Sequence, residues 1–239
     1  MPSPISMSYK LPIPGQVPVT VKMELPSHPT PNTPTLILAH GASNDLNLPL
    51  LVRLATALAA GDHAIVVRFN FPYVERGATS PDSRNVLEDT MMAVYSHMLE
   101  RPETGAAPVF VGGKSLGALT AAELVSRGPG QGGVAAAGLV LLGYPLHPPG
   151  RRDRPLLKAL RHIDIPSLFF AGTQDPLCSP ALLRPVLDSL IYRPDLYIIQ
   201  GADHSLEPPD SSDHDRERVF GEVVEQVEAF ILRTLGGWS

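Results

Sequence analysis

Cysteine is almost missing from this chain: Cys178 stands alone among 239 residues. No internal disulfide can form, so nothing in the sequence calls for an oxidising compartment. Long apolar runs are missing too. The longest uncharged stretch, 128–150, is broken by Gly and Pro, and its Pro-free apolar part, 134–144, is too short for the roughly 30 Å of a bilayer core. The opening MPSPISMSYK has no basic segment followed by an apolar one, which leaves no secretory signal and points to a cytoplasmic protein. Nor is there a basic run. With a formal net charge of −5, neither a nucleic-acid surface nor an anionic-membrane surface is expected. The chain also lacks HExxH, paired cysteines and a dinucleotide-binding fingerprint with its acidic partner, so no metal or organic cofactor is expected.

What is present suits a globule. Apolar residues make up 44% and charged residues 18%, and mean hydropathy is +0.05, well outside the range of disordered chains. The 26 prolines fall mostly in short clusters and read as loops and caps. No repeat and no Ser/Gly linker divides the chain, so a single domain is expected over 17–239, preceded by a Pro-rich lead-in at 1–16.

From residue 17 the pattern alternates. Val17 to Met23 reads as an edge strand that tolerates Pro18, and Thr35 to Ala39 as a short apolar strand followed by a helix with Leu51, Leu54 and Leu58 on one face. Further strands are predicted at 64–69, 108–112, 138–142, 167–171 and 196–200. Between and after them come helices along 87–98, 118–126, 182–190 and 220–230. Uninterrupted apolar strands separated by helices define an α/β fold: about seven mostly parallel strands with helices on both faces. In such sheets ligands gather at the carboxyl ends of the strands.

One of those ends carries Gly113-Lys114-Ser115-Leu116-Gly117, a GxSxG match that follows a strand and opens an Ala/Leu-rich helix. A serine on a strand-to-helix turn this sharp needs neighbours without side chains two positions away on each side, and Gly113 and Gly117 meet that need. The same residues end like a phosphate-binding GxxxxGK[ST] loop. That motif requires glycine at 108, where the sequence has proline, and residues 108–112 are strand and leave no loop to wrap a phosphate. Ser115 is therefore the candidate nucleophile.

A serine hydroxyl needs a base oriented by a carboxylate. For this type of turn the chain order is Ser, acid, His, which removes His28, His40, His63 and His97. His204, in the tight Gly201-Ala202-Asp203-His204-Ser205 loop after the last strand, is the candidate base. Asp175 leaves the strand ending at Ala171 and is the candidate acid; Asp164 and Asp188 lie at the wrong end, and Asp203 adjoins the histidine. The developing oxyanion calls for two donors: the Leu116 amide just after the nucleophile, and Ala42 in the small-residue loop His40-Gly41-Ala42-Ser43-Asn44.

The strings LAHGAS, RFNFPYVERG, VGGKSLGA, LLGYPLHPPG and GADHS together resemble the α/β-hydrolase superfamily over about residues 17–235. Within it they resemble a branch of small hydrolase-like proteins with testis-expressed and bacterial members and the hydrolase-like domain of a chromatin-complex subunit; dienelactone hydrolases are more distant. The resemblance implies a Ser115, Asp175 and His204 triad. Dienelactone hydrolases have cysteine where this sequence has serine. Only about two dozen residues separate the strands where the superfamily inserts its lid, here about 144–165, so a minimal lid and a wide site for small acyl groups are expected. Ser43, Asn70, Tyr73 and Tyr144 are the candidate substrate contacts, with Glu75 and Arg76 beside them. Arg151, Arg152, Arg154, Lys158 and Arg161 in the insert form either a solvated face or a guide for an anionic substrate. The expected activity is cleavage of a small-molecule carboxylic ester or thioester through an acyl-enzyme. The rivals are a non-catalytic binding module on the same fold, and perhydrolase or haloperoxidase chemistry on the same residues.

Overall fold

A computed structural model describes residues 4–105 and 107–236 of the chain. The strands are β1 (Ile5–Leu11), β2 (Val19–Leu25), β3 (Thr35–Ala39), β4 (Ile65–Phe69), β5 (Val109–Lys114), β6 (Gly138–Leu142), β7 (Ser167–Gly172) and β8 (Asp195–Ile199). The helices are α1 (Pro49–Ala60), α2 (Pro72–Glu75), α3 (Arg84–Glu100), α4 (Leu116–Arg127), α5 (Pro180–Asp188) and α6 (Asp213–Gly236). All eight strands join one sheet in the order β1-β2-β4-β3-β5-β6-β7-β8. β2 runs antiparallel to both neighbours, and the rest of the sheet is parallel.

The α/β class is as expected, with one strand more than the seven counted from the sequence. The extra strand lies in the stretch read as a Pro-rich lead-in, of which residues 1–3 fall outside the described residues. Its seven residues pair with β2 from Ile5↔Leu25 to Leu11↔Val19. As a result β2 is an interior strand, and β1 is the edge. Most of β1 faces solvent, so it lacks the apolar alternation by which a half-buried strand is recognised.

β3, β4, β5, β6 and β7 are buried along their whole length. Successive side chains alternate between two cores. Ile37 and Ala39 join the α3 and α4 side with Met91, Val94 and Ala121. Leu36 and Leu38 join the α1 and α6 side with Leu54, Leu58, Val223 and Val227. The apolar stripe foreseen for the closing helix is the face it buries, and Phe230 meets Phe110 edge-on at 6.0 Å. Each large side chain so buried stabilises the fold by roughly 1.5–3 kcal/mol before entropy is subtracted. Among the described residues no helix is long and apolar enough to cross a membrane.

One charge pair is set inside this apolar frame. Arg68 on β4 meets Glu24 on β2 at 2.5 Å, with side chains 3% and 6% exposed, and Arg68 also donates to the Leu46 carbonyl. The pair thus ties the sheet to the loop that follows β3. Glu24→Ala would leave the guanidinium buried without its counter-charge, and a loss of about 3–5 kcal/mol is expected in urea unfolding. An unchanged midpoint would show the pair to be dispensable.

Candidate active site

β5 delivers Ser115 to the carboxyl edge of the sheet, and α4 starts at the next residue. Its backbone is bent to φ 52°, ψ −106°, outside the ordinary regions for a residue with a side chain. The neighbours explain how the bend is held. A Cβ on Gly113 would lie 2.4 Å from the Ala39 carbonyl oxygen, and one on Gly117 would lie 2.3 Å from the same atom. Only glycine lets β3, β5 and α4 approach so closely. The Ser115 amide donates to the Leu142 carbonyl at 3.0 Å, anchoring the turn to β6.

His204 arrives on the loop after β8, with Nε2 2.8 Å from Ser115 Oγ and Nδ1 2.8 Å from Asp175 Oδ2. A carboxylate only accepts, so Nδ1 carries the proton and Nε2 is free to accept from the serine hydroxyl. The Asp175 side chain is fully buried, and its other oxygen accepts the amides of Leu177 at 2.7 Å and Cys178 at 3.1 Å. Burial pushes this carboxyl up, but the hydrogen bond and charge of His204, the Leu177 amide and the Lys114 ammonium outweigh it and hold the pKa below the usual value. Its pairing therefore stabilises the fold above the ordinary carboxylate range and is lost only as the pH falls through the lower folded value. Asp203, the neighbour set aside in the sequence, turns back on its own loop to accept from the Ser205 amide and hydroxyl. Cys178 is buried, and burial, with Asp175 adding to it, pushes its thiol up to about 12.

The loop after β3 approaches the serine from the other side. A Cβ on Gly41 would sit 3.6 Å from that of Ser115. The Phe71 amide donates to His40 Nε2 at 3.1 Å, so the buried imidazole is neutral and its Nδ1–H donates to the Gly41 carbonyl at 2.8 Å. Burial lowers the His40 pKa, which keeps it in that form at neutral pH. The Tyr73 hydroxyl lies 3.3 Å from the same carbonyl and donates to that of Ala42 at 2.8 Å. In a trans peptide C=O and N–H point in opposite directions. Anchoring the Gly41 carbonyl in this network turns the Ala42 N–H away from it. Among the described residues neither the Ala42 amide nor the first amide of α4, at Leu116, has a backbone acceptor.

The four candidate substrate contacts are dispersed. Ser43 is exposed and lines a cleft of about 690 Å³ with Ala42, Asn44, Tyr73 and Thr79. Tyr73 contributes a buried wall to that cleft, its hydroxyl committed to the loop backbone. Asn70 is not at the cleft: its amide bridges the Leu46 N–H and Glu75. Tyr144 corrects the expectation outright. It is wholly buried, donates to the Leu156 carbonyl at 2.6 Å and packs against Phe169, so no substrate can reach it. Ser115 and His204 do not line the cleft, whereas Ala42, next in the chain to Gly41, does.

The segment between β6 and β7 holds a single 3₁₀ turn at Leu160–His162 and no lid. Its Arg152 lines a second cleft, of about 560 Å³, with His147, Asp153 and Leu177, while Arg151 is paired with Asp153. Three features were not foreseen from the sequence: the inward-facing Lys114, the neutral His40, and the Tyr73 hydroxyl on the Ala42 carbonyl. The elbow pattern names position 114 without saying which way its side chain points.

A parallel-dominated sheet with a strained serine at the strand-to-helix turn defines the class of α/β hydrolases. Residues 32–232 match the family model described as an alpha/beta hydrolase domain, and the chain belongs to that family. Solved structures agree at the level of fold. A dienelactone hydrolase from Anabaena variabilis superposes with a TM-score of 0.74 at 18% identity, covering 97% of this chain and 99% of that one. A serine hydrolase without a lid from Xanthomonas campestris gives a TM-score of 0.65 at 21% identity, covering 100% of this chain and 98% of that one. Est1E from Butyrivibrio proteoclasticus gives 0.72 at 12% identity, covering 96% and 99%.

The backbone at Ser115 carries a testable cost. Ser115→Gly removes the Cβ from a positive φ, so the variant is expected to be more stable than the native protein by about 1 kcal/mol. A thermal midpoint at or below the native one would mean that the turn stores no strain.

Proposed function

We propose that this protein is a serine hydrolase that cleaves small carboxylic esters or thioesters through an acyl-enzyme. The observation that carries the reading is the unbroken hydrogen-bonded chain from Ser115 through His204 to Asp175, with the serine held in a strained turn. A scaffold that only binds has no physical need for that strain.

In this reading His204 Nε2 takes the Ser115 proton as Oγ attacks the carbonyl carbon, and Asp175 stabilises the imidazolium that forms. The amides of Leu116 and Ala42 receive the developing oxyanion, each such donor being worth roughly 10² to 10³ in rate. Collapse of the tetrahedral intermediate breaks the bond to the alcohol or thiol, which leaves with the proton from His204. Water then attacks the acyl carbon as His204 takes one of its protons, and collapse breaks the bond to Ser115, whose Oγ receives that proton back as the acid leaves. The absence of a lid between β6 and β7 supports a small acyl group in an open cleft over a long chain in a tunnel.

Two measurements test the reading. A fluorophosphonate probe is expected to label the native protein and not Ser115→Ala. Asp175→Asn, which removes the partner that fixes the His204 tautomer, is expected to lower kcat by about 10⁴ with the fold intact. Label on both native and Ser115→Ala would move the nucleophile elsewhere, and no label with no ester turnover would favour a binding module. An Asp175→Asn variant within threefold of native would reassign the acid.

A further inference from the structure

Lys114 is the second residue of the elbow, next to the half-buried Ser115. Its side chain does not face solvent. Lys114 is 4% exposed, and its ammonium donates to the main-chain carbonyl of His204. Nζ lies 3.1 Å from where a Cβ on Gly143 would stand, and His204 Cε1 lies 3.7 Å from that same point, so the ammonium and the imidazole share one corner. The charged and titratable groups facing it come from two loops: Asp175 and Cys178 after β7, and Asp203 after β8. Burial lowers its pKa to about 8 against the pull of those groups. Desolvating an ammonium is unfavourable, and a long apolar side chain would fill the space at less cost.

The contact adds to the Ser115–His204 hydrogen bond a second link between β5 and the loop after β8. Gly201 and Ala202 are tied to the turn bearing Asp175, through the Thr173 hydroxyl at 2.8 Å and the Gln174 amide at 2.8 Å. Lys114 ties His204 itself to the strand that presents Ser115.

We propose that Lys114 is a positioning residue, clamping the His204 backbone to β5 and supplying the counter-charge shared by Asp175 and Asp203, so that the imidazole stays aligned between Ser115 and Asp175. This rests on the hydrolase reading above. While the ammonium is protonated, its bond to the His204 carbonyl is charge-assisted. As the pH rises through about 8 that assistance and the counter-charge fade together, and turnover falls.

The test compares native protein with Lys114→Met and Lys114→Arg, each checked for folding by circular dichroism. Hydrolysis of p-nitrophenyl acetate is followed from about pH 6 to about pH 10, with spontaneous hydrolysis subtracted. Native kcat is expected to decline above about pH 8. Lys114→Met is expected to lose about tenfold in kcat with KM within about twofold, and to lack that decline. Lys114→Arg, charged throughout, is expected to recover part of kcat and also to lack the decline. Amide hydrogen exchange over residues 203–206 is expected to quicken in Lys114→Met. A folded Lys114→Met with native kcat and pH profile overturns the proposal, and unchanged exchange over 203–206 overturns the clamp while leaving hydrolysis standing. A native protein with neither ester turnover nor fluorophosphonate label overturns the hydrolase reading and the catalytic role of Lys114 with it.

Discussion

One carbonyl oxygen, that of Ala39 at the end of β3, sets the geometry around it. β5 and the first turn of α4 both close on this atom, and the space left between them admits no side chain at Gly113 or Gly117. The chain can make so tight a reversal only by forcing the intervening residue to positive φ, and that residue is Ser115. The serine hydroxyl is thereby lifted out of the sheet to where His204 meets it. A looser packing of β3 against β5 would remove the need for strain and lower the serine back toward the helix.

The apolar interior runs over most of the sheet, interrupted at β2 and β4 by the Arg68–Glu24 pair, and polar groups gather again at the edge that carries the site. There Asp175, Lys114 and His40 are buried, each hydrogen-bonded to backbone groups and Asp175 also to the His204 imidazole. Such groups are poor sources of stability, since desolvation offsets most of their attraction. Their value lies in direction: a buried hydrogen bond has few alternatives, so the groups it holds stay where they are. The Ala42 amide is aimed by this means, through a carbonyl that His40 and Tyr73 hold from behind. Arg68 and Asn70 hold the same loop further along, at the carbonyl and amide of Leu46.

Much of this was legible beforehand. Short apolar runs placed strands β3 to β8, and period-3.6 patterns placed α1, α3, α4 and α5, within a few residues; of α6 only the buried part from Phe220 was placed, and the single turn α2 was not. β1 escaped notice because most of its side chains face water, and its membership in the sheet rests on backbone pairing with β2. Tyr144 was misjudged for a related reason. Its position just after β6 is near the site in sequence, but the hydroxyl finds the Leu156 carbonyl inside the insert, and no local pattern announces a partner twelve residues away.

The sequence by itself determined the alternation of strands and helices, the glycine-flanked turn at Ser115, and the chain order in which Asp175 and His204 follow it, since each depends on local periodicity or on neighbouring residue types. Only the tertiary structure decided the direction of each polar side chain: Lys114 inward to the His204 carbonyl, Asp203 back onto its own loop, His40 neutral beneath the Ala42 amide. Those directions come from the desolvation of buried polar groups against partners far away in the chain, a balance that exists only once β3, β5, β7 and β8 have come together.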